Sequence, residues 1–380
     1  MTALPLFPVT SVGSWPRPAD VREAQRRLRR GQLSRAEFDR VADRAVADFL
    51  RLEEEIGCDI VTDGELRRDN FYSFVADKLD GVKLMTLAEM LDVVEDKAGF
   101  ERLLQTLDVP AYSISSPICY GPIARREPLA VDDFRFARAH SSRPIKVTLP
   151  GPYLLTRAMY VSEMSGPVYP TKEDLSEDVV RVLREELTEL AAEGAEFVQF
   201  DEPVLTELAF APDRTRTFMC AALASRKDPA EELELAVTLI NRVVNGFDNR
   251  RLGVHICRGN WSRDESTLLS GSYRPLAPYL AQLDVDQLVL EYATERAGDM
   301  MAFGDKELGL GVVNPRTDTI ESVDTITAVV QNALRFYPAD RVFLNPDCGF
   351  GTFSNRPVNV AAVAEAKLRA VASAARRLRS

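Results

Sequence analysis

Short strand-like runs alternate with longer helical runs along most of the 380-residue chain. The strand-like runs are apolar, end in polar or glycine residues, and cover residues 8–18, 58–65, 144–152, 196–203, 253–257, 287–291, 308–313 and 341–348. Helical spacing of apolar residues is present at residues 34–57, 171–194, 230–245, 320–337 and 358–378. Strands that alternate with helices are typical of a parallel sheet, and eight of them predict an α/β fold of the (β/α)8 TIM-barrel type.

Residues 71–116 interrupt this alternation. They contain helical patterns at 87–91 and 100–107 without a barrel repeat, and a short strand at 117–121 closes the region. We therefore predict one barrel domain over residues 1–380, with an insertion at 71–116 between the second and third barrel strands.

Two of the predicted helices have clear amino-terminal signals. Ser34 is followed by Glu37, and Thr171 by Asp174, at the spacing of a capping box. Such a pair satisfies backbone N–H groups of the first turn, so the helices are expected to begin directly after Ser34 and Thr171.

The composition argues against several kinds of partner and location. A net charge of -11 disfavours a nucleic acid or an anionic membrane as partner, because both need a basic surface. No apolar run is long enough to span a bilayer, and the first residues lack the features of a signal peptide, which predicts a cytoplasmic protein. The five scattered cysteines favour reduced thiols or a metal site over a disulfide framework.

The run at 253–257 ends in His255-Ile256-Cys257. Residues two apart on a strand point to the same face, so the imidazole of His255 and the sulfur of Cys257 can reach one point. This pair of ligands suits zinc. The alternative is a buried strand in which His255 is hydrogen-bonded and Cys257 is a small apolar side chain.

Two further candidate ligands follow later strands, Glu291 after the sixth and Cys348 after the eighth. A (β/α)8 barrel brings the carboxyl ends of its strands together at one face. Glu291 and Cys348 are therefore expected to lie near His255 and Cys257.

Carboxylates also follow two of the earlier strands. Asp63 and Glu65 end the second strand, where a solvated loop or a helix cap is the alternative to a functional role. Asp201 and Glu202 end the fourth strand, directly before a proline. Two adjacent carboxylates after a buried strand are costly unless they are paired or face a site, which favours a functional role.

The chain resembles the catalytic, carboxyl-terminal barrel of cobalamin-independent methionine synthase over nearly its whole length. That family belongs to the zinc thiol-alkyltransferases, which are related in fold to uroporphyrinogen decarboxylase. The motifs that carry the resemblance are Val12-Gly13-Ser14-Trp15-Pro16, Asp63-Gly64-Glu65, Leu149-Pro150-Gly151-Pro152, Gln199-Phe200-Asp201-Glu202-Pro203, His255-Ile256-Cys257, Leu290-Glu291, Gly311-Val312 and Asn345-Pro346-Asp347-Cys348-Gly349.

The resemblance implies a zinc ion and a bound thiol. The implied zinc ligands are His255, Cys257, Glu291 and Cys348, with Glu291 as the ligand that an entering thiol loosens. Zinc would turn a thiol with a pKa of about 8.5 into a thiolate at neutral pH, ready to attack an electrophilic carbon.

The resemblance also implies residues that hold the amino-acid end of homocysteine. These are Ser14 through its backbone, and Glu65 and Asp201 through carboxylates that would bind the ammonium group. Glu65 and Asp201 are therefore predicted as both substrate-binding and catalytic residues.

Two departures from the family concern the methyl donor. Arg316 stands where folate-using members have a histidine that protonates the leaving nitrogen, and arginine does not give up a proton at neutral pH. Ala158 stands where they have a tryptophan that stacks on the folate. Arg316, with Arg258 and Arg17, is instead a candidate to bind an anionic substrate, with an ordinary surface position as the alternative. The second histidine, His140, is expected at the surface.

We expect zinc-dependent methyl transfer to homocysteine that forms methionine, with a folate, a methylated corrinoid, a methyl-carrying protein or another small alkyl compound as donor. One alternative is another zinc-dependent thiol alkylation, such as addition of coenzyme M to an epoxide, which requires an arginine facing the sulfonate. The other is a barrel that is not an enzyme or that works without a metal.

Overall fold

The structure is a computed structural model that describes residues 2–93, 97–98, 115–210 and 227–380. Two antiparallel strands pair with each other, and they are β1 (Leu79–Thr86) and β2 (Ser115–Arg125). Six parallel strands form the main sheet in chain order, and they are β3 (Lys146–Pro150), β4 (Phe197–Asp201), β5 (Arg251–Ile256), β6 (Gln287–Leu290), β7 (Glu307–Val313) and β8 (Val342–Pro346). All residues of β3, β4, β6 and β8 are buried, as expected for a parallel sheet with both faces covered.

The segments around Val9 and Val61 close this sheet into a barrel. Val9 bridges to Leu344 of β8, and Val61 bridges to Ile145 beside β3. The two segments also meet each other, since the N–H of Asp59 donates to the carbonyl of Val9 over 2.9 Å. The ring therefore has eight parallel positions, which confirms the predicted (β/α)8 barrel.

The first two barrel positions are shorter than the predicted strands 8–18 and 58–65. Each consists of a single bridge. Backbone N–H groups that could extend the strand pairing donate to side-chain carboxylates instead. The N–H of Val9 donates to Asp59 over 2.9 Å, and that of Thr62 donates to Glu53 over 2.8 Å. Pro8 has no N–H to donate.

A buried polar group joins these two positions to β3. The hydroxyl of Ser11 donates to Glu53 over 2.7 Å, and the ammonium of Lys146 donates to the carbonyl of Ser11. Burial raises the pKa of Glu53 to about 8. Side-chain hydrogen bonds thus hold the barrel together where its backbone ladder is shortest.

The capped helices are confirmed. The helices Arg35–Ile56 and Lys172–Ala192 begin after Ser34 and Thr171, each with a complete capping box. Other predicted helices are observed at Pro229–Val244, Val323–Ala333 and Ala361–Arg379, and further short ones at Ser162–Ser165, Val204–Phe210 and Ala277–Leu280.

The sequence interpretation missed three longer helices, Ala19–Arg29, Val131–His140 and Pro152–Met159. None of them has a side-chain cap from its own N-cap residue. Their local amino-terminal signal is therefore weak, and packing against the barrel decides their conformation.

The region predicted as an insertion contains β1, and β1 pairs with β2, which begins at its end and runs beyond it; this pair is separate from the barrel sheet. The predicted short strand 117–121 is part of β2, and the pattern at 87–91 forms the helix Leu87–Leu91. The helical pattern at 100–107 lies outside the described residues.

Candidate metal and substrate site

Three of the predicted metal ligands meet at the carboxyl end of the barrel. His255 is in β5, Cys257 follows that strand, and Cys348 comes two residues after β8. One ligand atom from each lies within 4.8 Å of the other two. We call these residues the ligand cluster. All three are buried, with at most 7% of their surface exposed.

The imidazole of His255 is oriented for a metal. Its Nδ1 lies 3.0 Å from the carbonyl oxygen of Val289, and because a carbonyl only accepts, Nδ1 carries the proton. The other nitrogen, Nε2, is buried without a hydrogen-bond partner. A backbone carbonyl on one nitrogen and a second nitrogen without a partner are typical of a metal-binding histidine, and a metal would displace the proton from that second nitrogen.

The members of the ligand cluster also shift each other's pKa values. The Cys348 thiol and His255 beside it lower the pKa of Cys257 to about 5, against the effect of burial. Burial lowers the pKa of His255, but the neighbouring Cys257 outweighs it and raises that pKa to about 9. One imidazole and two sulfurs form a donor set that suits zinc.

Glu291, the fourth predicted ligand, is not in the ligand cluster, because arginines hold its carboxylate. Oε2 accepts the backbone N–H of Arg258 over 2.7 Å, and Oε1 lies 3.3 Å from Arg316 and 3.4 Å from Arg296. Although burial opposes it, these positive charges keep the pKa of Glu291 below its ordinary range. Its role as a metal ligand stays a prediction.

The arginines predicted to bind an anionic substrate are at buried positions, so the surface alternative for them is wrong. Arg316 donates to Glu265 over 3.0 Å and to Asn260 over 3.2 Å, and Arg258 donates to the carbonyl of Gly271 over 2.8 Å. Neither lines the cavity next to the ligand cluster. This placement gives no support to Arg316 as a substrate-binding residue.

The cavity contains all three members of the ligand cluster and the predicted substrate residues Ser14, Glu65 and Asp201. Its other lining residues are Val12, Phe71, Tyr72, Pro203, Asn260, Trp261, Gly349, Thr352 and Phe353. The structure therefore brings the candidate metal site and the candidate amino-acid site into one space.

The position of Glu65 depends on close contacts around it. Its backbone has a φ of 53°, which is unusual for a residue with a side chain. Its Oε1 accepts the hydroxyl of Thr148 over 3.0 Å, and a side chain at Gly13 would come within 2.6 Å of this oxygen. Arg17 holds the backbone carbonyl of Glu65 over 2.9 Å. The second oxygen, Oε2, is buried without a partner, and burial raises the pKa of the carboxyl.

Asp201 and Glu202 are adjacent but have different roles. Asp201 lines the cavity, accepts the amide of Gln199 over 2.9 Å, and has its pKa raised to about 7 by burial. Glu202 instead accepts the N–H groups of Tyr153 over 2.8 Å and Leu154 over 3.0 Å. It caps the helix Pro152–Met159, so of the two only Asp201 is placed at the cavity, and its functional role stays a prediction.

Hydrogen bonds join the loop after β5 to the loop after β8, beside the ligand cluster. Asn260 donates to the carbonyl of Gly349 and to the hydroxyl of Thr352, each over 2.7 Å. Gly349 packs so closely on Ser14 that a side chain there would come within 2.1 Å of the serine hydroxyl. These contacts fix Ser14 beside Cys348.

The aromatic lining of the cavity was missed by the sequence interpretation. Trp261 follows Cys257 by four residues, and Phe353 follows Cys348 by five. This closeness to predicted metal ligands could have marked both as candidate cavity residues. Phe71 and Tyr72 lie at the start of the predicted insertion, where no strand or motif marks them.

Other expectations concern residues away from the site. His140 is exposed at the end of its helix, with Nδ1 2.8 Å from the carbonyl oxygen of Phe136, so its surface position is confirmed. Cys58, Cys119, Cys257 and Cys348 are free thiols, and Cys220 lies outside the described residues. Within the described ranges, no helix is long and apolar enough to cross a membrane.

Several known proteins are similar to this chain. A methionine synthase of Saccharolobus solfataricus is 30% identical over 362 residues, which is 94% of this chain and 92% of that protein. A 5-methyltetrahydropteroyltriglutamate–homocysteine methyltransferase of Thermotoga petrophila is 26% identical over 354 residues, which is 92% of this chain but 42% of that longer protein. A solved B12-independent methionine synthase from a Shewanella species has the same fold, with a TM-score of 0.72, 23% identity and 98% of each chain covered.

The family model described as the catalytic domain of cobalamin-independent synthase matches residues 7–376. This match covers both loops that carry the ligand cluster and both carboxylates of the cavity. The chain therefore belongs to the family of cobalamin-independent synthase catalytic domains.

Proposed function

We propose that this chain, acting as a single barrel domain, transfers a methyl group to the thiol of homocysteine and forms methionine, with zinc as the metal. The observation that carries the proposal is one cavity lined by His255, Cys257 and Cys348 together with Glu65 and Asp201. Membership of the family and the names of its relatives support the same reaction.

His255, Cys257 and Cys348 would hold the zinc ion, and the unpartnered Nε2 of His255 supports this assignment. Bound zinc would supply the positive charge that makes a thiol lose its proton near neutral pH. Glu291 remains the candidate for a fourth ligand. To reach the metal it would have to leave Arg316 and Arg296.

Glu65 and Asp201 would bind the ammonium group of homocysteine. The free Oε2 of Glu65 is a buried acceptor that a positively charged N–H group would satisfy. Asp201 lines the same cavity and offers a second carboxylate. Together they would fix the amino acid by its ammonium while its sulfur faces the ligand cluster.

The coenzyme M alternative finds less support. A sulfonate needs a cation, and no arginine or lysine lines the cavity within residues 2–93, 115–210 and 227–380. Arg258 and Arg316 are already paired with Glu291. A methylated corrinoid also finds no support as donor, because the family is described as cobalamin-independent.

The test is formation of methionine from homocysteine by protein that contains zinc, with a panel of methyl donors. Cys348→Ala is expected to lose the metal and to lower kcat/KM by more than about 100-fold, because changes even to the residues around metal ligands cost 10- to 100-fold. Cys119→Ala is the matched control, since this buried cysteine lies outside the ligand cluster. A Cys348→Ala variant with normal zinc content and activity would overturn the proposal.

A further inference from the structure

Regular strand pairing stops just before Cys257. β5 ends at Ile256, which is paired with Leu290 of β6, and the pairing of β5 with β4 ends at His255. Cys257 is nevertheless buried, and its sulfur belongs to the ligand cluster. The direction of that sulfur therefore depends on what holds the backbone after the strand.

Side chains hold the peptide group that follows Cys257 at both of its polar atoms. The carbonyl of Cys257 accepts the hydroxyl of Thr206 over 2.7 Å. The N–H of Arg258, in the same peptide group, donates to Oε2 of Glu291 over 2.7 Å. Because a peptide group is planar, two hydrogen bonds at opposite edges fix its orientation. The backbone that carries the Cys257 sulfur is fixed with it.

A local role is the alternative for the Thr206 hydroxyl. It also lies 2.9 Å from the carbonyl of Pro203, three residues earlier in the chain. Threonine hydroxyls often bond in this way to their own helix. The hydroxyl has a single proton, and the carbonyl of Pro203 already accepts the backbone N–H of Thr206 over 3.3 Å. The proton therefore goes to the shorter contact, with Cys257.

The segment that contains Thr206 supports a second member of the ligand cluster. The N–H of Glu202 donates to the carbonyl of His255 over 2.9 Å. The carbonyls of His255 and Cys257 are thus both held from residues 202–206, directly after Asp201. Thr206 is fully buried and does not line the cavity, so it can act on the site only through Cys257.

We propose that Thr206 is a positioning residue that orients Cys257 for metal binding. This inference rests on the proposed function, because it takes the ligand cluster to hold zinc. Without the hydroxyl, the carbonyl of Cys257 loses its donor in a buried place, which is unfavourable. The peptide group would then turn toward another donor and move the sulfur away from its place beside His255 and Cys348.

The first test is the zinc affinity of Thr206→Val, measured by competition with a chromophoric chelator. Valine has nearly the shape of threonine but no hydroxyl. We expect the dissociation constant for zinc to rise about tenfold, since changes to residues around metal ligands cost 10- to 100-fold. Thr206→Ala removes the same hydroxyl and is expected to weaken zinc binding in the same way, whichever way the valine packs. Thr206→Ser keeps the hydroxyl and is expected to restore most of the affinity.

Thr156→Val is the matched control. Thr156 is also fully buried, and its hydroxyl donates to the carbonyl of Pro152 over 2.8 Å within the helix Pro152–Met159. The two valine variants each remove a local helix contact, but Thr206→Val alone removes a contact with the ligand cluster. Thr156→Val is therefore expected to bind zinc like the unaltered protein. Equal dissociation constants in the two valine variants would overturn the proposal.

The second test asks whether the change reaches the sulfur. Cobalt(II) takes the place of zinc in such sites, and its thiolate bonds absorb in the near ultraviolet. In cobalt-loaded Thr206→Val we expect this absorption to be shifted or weakened, because the Cys257 sulfur is displaced. Cobalt-loaded Thr156→Val is expected to have the spectrum of the unaltered protein. A Thr206→Val spectrum identical to that of the unaltered protein would contradict the inference.

The unaltered protein separates this inference from the proposed function. If it binds zinc and Thr206→Val binds zinc equally well, the positioning role fails while the proposed function stands. If the unaltered protein binds no zinc, the proposed function fails, and the positioning role fails with it.

Discussion

At the carboxyl end of the barrel, the buried carboxylates on the two sides differ in their partners. On one side Glu65 and Asp201 face the cavity, and Oε2 of Glu65 has no partner. On the other side Glu291 is held by Arg258, Arg296 and Arg316, and it does not line the cavity. We call these the open side and the paired side, and the ligand cluster lies between them.

We propose that this difference marks the side that exchanges partners with a substrate. A buried oxygen without a partner costs free energy, so a site that keeps one is usually completed by a ligand. A buried carboxylate surrounded by guanidinium groups already has its partners, and removing it leaves buried charges uncompensated. The open side is thus suited to binding, and the paired side to holding the loops around the ligand cluster in place.

The largest expected effect comes from Glu291→Gln on the paired side. The side chains of Arg258, Arg316 and Arg296 are at most 8% exposed, so they would lose their main counter-charge away from water. We expect the free energy of unfolding, measured by denaturant titration, to fall by about 3–5 kcal/mol. Zinc content is expected to stay near one per chain.

Glu365→Gln is the control for this variant, because Glu365 pairs with Arg369 at an exposed position. It should cost less than about 1 kcal/mol. If Glu291→Gln lowered the free energy of unfolding no more than Glu365→Gln does, the division into two sides would be wrong. If Glu291→Gln lost its zinc, Glu291 would act mainly as a metal ligand.

The next effect is expected from Glu65→Gln on the open side. Losing the carboxylate that meets the ammonium should cost about 2 kcal/mol of binding, which is a roughly 30-fold increase in the KM for homocysteine. Glu53→Gln makes the same change at a buried glutamate that does not line the cavity, and should leave KM unchanged. If Glu53→Gln raised the KM for homocysteine and Glu65→Gln did not, the ammonium group would not bind at Glu65.

The smallest expected effect is on pH dependence. Burial raises the pKa of Asp201 to about 7, so its negative charge is lost as the pH falls through 7 instead of near 4. Because the ammonium contact needs the anion, the KM for homocysteine should rise up to about tenfold per pH unit below 7. The Asp201→Asn variant should have a flatter profile over the same range. If the KM for homocysteine depended on pH in the same way in Asp201→Asn and in the unaltered protein, Asp201 would not determine the affinity for homocysteine.

The sequence was most informative at the ends of strands. The alternation of strands and helices predicted the barrel, and a barrel gathers His255, Cys257 and Cys348 because they lie at the carboxyl ends of β5 and β8. Strand-end position made Glu65 and Asp201 candidates, and the family resemblance was needed to predict them as substrate residues. Strand-end position alone did not separate Asp201 from Glu202, since the partners of Glu202 are N–H groups of a distant helix.

The partners of long side chains were not predictable in this way. Arg316 and Glu291 occupy positions that the sequence linked to substrate and metal, but their own contact, at 3.3 Å, depends on how two loops pack. Phe71 and Tyr72 reach the cavity from a region without barrel periodicity. Side-chain packing between loops has no signature in the spacing of one sequence.

X-ray absorption at the zinc edge, with and without homocysteine, tests the central claim that the ligand cluster holds a metal that receives the substrate thiol. With Cys257 and Cys348 as ligands, the account predicts about two sulfur neighbours near 2.3 Å in the free protein and about three after homocysteine is added. A sulfur count that does not change when homocysteine is bound would contradict it.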